Sequence, residues 1–117
     1  MPVKGVELTA IEAKRYSRPS ERHAQIRIDH NSTVTLVRSQ SAGEATVEFR
    51  YTASYGGVGI IRLDGTLHFS GDAKALEEQW TKSSQMPSEV ASEIHTAVMR
   101  VCVPEAVGIA KNLNLPP

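Results

Sequence analysis

The chain has 117 residues, 40% of them hydrophobic and 22% charged, which suits one folded domain and leaves no length for a second catalytic one. Thirteen lysines and arginines balance thirteen aspartates and glutamates, so no net field gathers phosphate backbones or anionic lipid, which argues against electrostatically driven nucleic-acid binding. The single cysteine, Cys102, has no internal partner, no apolar run approaches a membrane span, and Met1 to Gly5 lacks the apolar stretch of a secretory signal, so the expected chain is soluble and cytoplasmic.

Val6, Leu8 and Ala10 alternate with Glu7, Thr9 and Ile11, predicting a first strand that gives way to a loop at Tyr16 to Ser20, around Pro19. Ile26, Ile28, Val34 and Leu36 share one parity across the turn-forming Asp29 to Ser32, which predicts one long strand bent there. Ser41 to Glu44 reads as a short turn. After it Val47, Phe49, Tyr51, Ala53 and Tyr55 alternate with Glu48, Arg50, Thr52 and Ser54, the pattern of an antiparallel strand covered on one side only. Gly56 and Gly57 supply the backbone freedom of a tight hairpin. Ile61, Leu63, Leu67 and Phe69 then form a fourth strand, in which Gly65 marks a bulge or a close backbone approach.

Asp72 is the expected N-cap of a short helix running to about Lys82, with a thin stripe of Ala73, Leu76 and Trp80 opposite Lys74, Glu77 and Glu78. Pro87 suits the first turn of a longer helix whose stripe is Val90, Ile94, Ala97, Val98, Val101 and Cys102. Pro104 removes an amide and crowds the preceding turn, so it kinks that helix or starts another, and Val107, Ile109, Ala110 and Leu113 carry the helical spacing onward. The reading is a single α+β domain over residues 1–117, with strands over about 6–70 and two helices over about 72–113, the second long and kinked at Pro104.

Catalytic signals are thin. The histidines at 23, 30, 68 and 95 show no three- or four-residue spacing, so no local zinc pair forms, and His68 falls on the polar parity of its strand. Cys102 reads as a small buried hydrophobe, with no basic cluster beside it to activate a thiolate. Tyr55-Gly56-Gly57-Val58-Gly59 joins two strands and opens no helix, so it is a turn and not a phosphate cradle. Asp64, Asp72, Glu77 and Glu78 are scattered as solvated charges. The aromatics Tyr16, Phe49, Tyr51, Tyr55 and Phe69 fall in the strand region and Trp80 in the first helix; they are core, or, partly uncovered, a protein-binding surface.

Three stretches resemble the SecB family of export chaperones. Tyr51-Thr52-Ala53-Ser54-Tyr55-Gly56 is similar to the end of that family's third strand. Gly65-Thr66-Leu67-His68-Phe69-Ser70-Gly71 with Leu76-Glu77 resembles its Gly-Ile-Phe-x-Ile-x-Gly strand and the Leu-Glu of its first helix, with Leu67 in place of Phe. Pro104-Glu105-Ala106 and Leu113-Asn114-Leu115-x-Pro117 look like its Phe-Pro-Tyr-Ala helix and Leu-Asn-Leu-x-Pro close. The likeness covers roughly residues 45–117 and lies in the shared order of the motifs.

The resemblance implies a four-stranded antiparallel sheet with two helices behind it, a homotetramer built as a dimer of dimers, and an ATP-independent holdase, not an enzyme. Such a protein holds unfolded polypeptides or preproteins in an apolar groove for protein folding and transport, without nucleotide or metal. Client contact is expected at Phe49, Tyr51, Leu67, Phe69 and Trp80. The family is acidic and uses that charge to dock on the SecA motor; this chain is neutral, so the implication is client holding rather than motor docking. One dedicated partner, as for a SecB-like antitoxin chaperone or an interaction subunit, is the alternative. A hot-dog-fold thioesterase ranks lower, because its helix comes early in the chain and here all helix follows the strands.

Overall fold

The alternation of residues 44–70 forms a hairpin whose strands pair from Glu44 with Ser70 to Ser54 with Ile60. A computed structural model describes residues 3–18 and 25–116. Its elements are β1 (Val3–Arg15), β2 (Asp29–Ser41), β3 (Glu44–Ser54), β4 (Gly59–Ser70), α1 (Ala73–Ser83) and α2 (Ser88–Asn112). The strands make one antiparallel sheet in the order β1-β4-β3-β2, so the fold is α+β with all helix after all sheet, as expected. Pro19, Ser20 and His23 of the sequence reading lie outside the described residues.

Two strand expectations are corrected. β2 starts at Asp29 and not at Ile26, because Asp29 already pairs with Ser54, the last residue of β3, and Ile26 and Ile28 have no strand to meet. Asp29 to Ser32, expected as a bend, pair regularly with Ser54 to Tyr51. The irregularity falls later, between Val34 and Leu36, where the register shift reverses the parity. Val34 stands opposite Phe49, Leu36 turns to the other face opposite Glu48, and Val37 takes over opposite Val47. A similar shift between Leu8 and Ala10 in β1 puts Ile11 and Ala13, not Ala10, opposite the inward Leu63 and Ile61.

One face of the sheet is the core. Val47, Phe49, Tyr51 and Ala53 of β3 and Ile61, Leu63, Leu67 and Phe69 of β4 lie under Ile94, Val98, Cys102, Ala106 and Ala110 of α2 and Ala73 and Leu76 of α1. The opposite face is polar and braced across strands, with Arg50 to Asp64 at 2.7 Å and Arg62 to Glu12 at 2.8 Å. Gly65 is a close approach: a Cβ there would stand 2.5 Å from the Glu7 carbonyl oxygen and 2.6 Å from Phe49 Cζ. The bulge sits on the neighbouring strand β1.

Asp72 caps α1 as expected, its carboxylate accepting from the Ala75 amide at 3.2 Å. α1 ends at Ser84, whose left-handed backbone (φ 55°) lets its amide reach the Trp80 carbonyl. α2 runs unbroken through Pro104, so no new helix starts there. Its C-terminus is tied to the end of β1 by Arg15, whose guanidinium donates to the Leu113 and Asn114 carbonyls at 3.3 and 2.7 Å. Positive charge at a helix C-terminus is favourable. No helix among the described residues is long and apolar enough to cross a membrane.

Candidate functional site

α1 is only 11 residues long, and it buries Ala73 and Leu76 but leaves its last apolar residue, Trp80, half-buried. The helix layer therefore stops short of covering the Ser32 to Val34 stretch of β2. What opens there is a cavity of about 650 Å³ between β2, β3, α1, α2 and the link joining the helices. Phe49, Ile94 and Val98 form its floor, and Val34, Trp80 and Met86 form its apolar walls. That volume lies within the range of ligand clefts, about 300–1,000 Å³.

The polar corner of the cavity is built from residues far apart in sequence. The Ser32 hydroxyl and His95 Nδ1 share a hydrogen bond that links β2 to α2. Next to it on the same face of β2, His30 Nδ1 and the Tyr51 hydroxyl are hydrogen-bonded. Burial pushes the Tyr51 phenol up to about 12. A hydroxyl bonded to an imidazole supplies two parts of a nucleophile and base pair, but no carboxylate among the described residues lines the cavity to orient the ring. The cavity thus combines an apolar floor with this hydrogen-bonding pair and the polar residues Thr33, Ser84, Gln85 and Ser92.

Of the five residues expected to touch a client, Phe49 lies on the floor of this cavity and Trp80 on its wall. Phe69 borders a separate cleft of about 240 Å³ between the helices, with Leu76 and Val90. Tyr51 and Leu67 are enclosed at 0% exposure and present no surface in this conformation. Of the strand-region aromatics, Phe49, Tyr51, Tyr55 and Phe69 are core and Tyr16 is exposed. Val34, Met86, Ile94, Val98, Ser32 and His95 join the site without having been singled out for it. Ile94 and Val98 were legible only as a helix stripe, Met86 sits in the link ahead of Pro87, and nothing local pairs Ser32 with His95.

The remaining candidates fall where their spacing placed them. Cys102 is fully buried, and burial pushes its thiol up to about 11, far from a reactive thiolate at neutral pH. His68 is exposed on the polar face, 3.5 Å from Glu7. Tyr55 and Val58 close the glycine hairpin through their backbones. Comparison with known proteins gives no match, whether to a family model, a curated protein or a solved structure.

Proposed function

We propose that the protein is an ATP-independent holdase of SecB-like type, working in the cytoplasm, that takes apolar side chains of unfolded polypeptides into the groove between β2, α1 and α2. The observation that carries this reading is the half-covered apolar cavity in which Phe49 and Trp80 meet. Each bulky apolar side chain seated there contributes about 1.5–3 kcal/mol. A cavity of this size takes few of them, so single sites bind weakly, and a dimer of dimers would raise avidity by presenting several grooves to one chain. The motif resemblance of residues 45–117 supports the same reading, as does a groove open to extended segments.

The test is suppression of light scattering from a reduced, unfolded client without ATP, with wild type and Trp80→Ala compared at equal folded concentration. Wild type suppresses aggregation, and the variant needs several-fold more protein for the same effect. Equal suppression by both would sink the assignment of the groove. A dedicated interaction subunit is the second reading, favoured by Ile11 and Tyr16, each 58% exposed on or just after the edge strand β1. Co-purification of one stoichiometric partner, with no suppression of unrelated clients, would support it instead.

A further inference from the structure

His95 is the one ionisable side chain among the described residues lining the large cavity, and the Ser32 hydroxyl reaches it across the corner. Imidazole is the side chain that ordinarily titrates between about pH 5 and 8. In the neutral ring, Nδ1 and the Ser32 hydroxyl share one hydrogen bond, whichever of them donates. Protonation turns both ring nitrogens into donors, frees the Ser32 hydroxyl to donate elsewhere, and leaves a cation beside an apolar floor.

The charges around it are turned away or engaged. On α2, Glu93 and Arg100 line the cleft on the opposite flank of the helix with Lys4, and Glu89 stands in the first turn. From β2, His30 is held by Tyr51 and Asp29 by Arg27. On β3, Arg50 is paired with Asp64 and Glu48 is exposed, and both alternate with the inward Phe49. On α1, Glu77 accepts from the Ser39 amide, while Glu78 and Lys82 are exposed; none of the three lines the cavity. An imidazolium at His95 therefore has no acid among the described cavity residues to pair with, and a carboxylate carried by the ligand is the partner the cavity leaves room for.

We infer that the groove selects apolar segments that carry a carboxylate next to the apolar run, with Ser32 and His95 as the two donors that receive it, and that acidification sharpens this selection. The selectivity rests on the groove reading above. An acidic flank gains a charge-assisted hydrogen bond as His95 protonates, whereas a basic flank meets a like charge. A glutamate flank stays ionised at pH 5.5, well above its ordinary pKa of about 4.3.

The experiment is calorimetric titration of two short peptides with the same apolar run, one flanked by glutamates and one by lysines, at about pH 7.5 and about pH 5.5. The glutamate peptide is expected to bind about fivefold tighter at the lower pH, the scale of one partly exposed ion pair, and the lysine peptide to bind more weakly there. His95→Gln should abolish both pH responses. His95 is exposed on α2, and an unchanged far-ultraviolet spectrum would verify that the variant is folded. A pH response of the same sign for both peptides, or one surviving in His95→Gln, would overturn the selectivity while leaving the groove in place. Absence of binding by either peptide at both pH values would overturn the groove reading, and the selectivity with it.

Discussion

Replacing Gly65 with alanine perturbs the packing on which the floor of the groove rests. The added methyl would stand 2.5 Å from the Glu7 carbonyl oxygen on β1 and 2.6 Å from Phe49 Cζ on β3. Favourable contact begins near ~3.5 Å, so backbone and ring must each give by about 1 Å. The Glu7 oxygen belongs to a strand held in register, and Phe49 is packed at 2% exposure. Overpacking of this kind costs about 1–3 kcal/mol, and the stiffer unfolded chain of an alanine variant offsets ~0.4–1 kcal/mol of it. The expected net loss is about 1–2 kcal/mol, read as a lower urea midpoint with an unchanged slope. Because Phe49 also lines the cavity, client holding by the folded variant should fall as well. Stability equal to or above wild type would refute the reasoning, since it would mean that β1 and Phe49 have room the distances deny.

Leu67→Ala should cost about 2–5 kcal/mol of stability, the range for emptying a core position, and leave client holding per folded molecule unchanged, because Leu67 is wholly enclosed. A selective loss of holding would return Leu67 to the contact set. Arg15→Ala removes donors from the Leu113 and Asn114 carbonyls, so amide exchange at residues 113–115 should quicken and stability drop by about 1–2 kcal/mol. Unchanged exchange there would show that the guanidinium does not tie α2 to β1. Tyr51 and Cys102 hold their protons to about 12 and about 11 when folded, against 10.0 and 9.0 ordinarily. The unfolded chain loses those protons first, so their contribution is complete below about pH 9 and declines as pH rises through the folded values. A urea midpoint that stayed flat from about pH 9 to about pH 11 would contradict that enclosure.

The alternation of Val47 to Tyr55 and of Ile61 to Phe69 was legible because β3 and β4 are central strands whose inward side chains meet helix, so each local pattern and its tertiary setting agree. The same holds for Asp72 as a cap and for the stripe of Ile94, Val98 and Cys102. The edge strands were harder to read. β1 and β2 each carry register shifts that reverse parity, and a shift is set by the partner strand rather than by the strand's own composition. Of the candidate site, Phe49 and Trp80 were visible as aromatics without enough helix to cover them. Which aromatics stay uncovered depends on where α1 ends over β2, and that placement closes over Tyr51 and Leu67 while exposing Val34 and Met86 to the cavity. Ser32 and His95 meet only because the Greek-key order of the sheet brings β2 beside α2 at that corner.

Trp80 is the only tryptophan in the chain and stands on the groove wall, so its emission reports on the site without a label. The most direct measurement is titration of the protein with an unfolded, tryptophan-free client while following that emission and, in the same samples, client aggregation. If the groove holds the client, the emission shifts to shorter wavelength as the indole is covered, and it saturates at the ratio where aggregation stops. Suppression of aggregation with the emission unchanged would place the client elsewhere on the molecule and contradict the account.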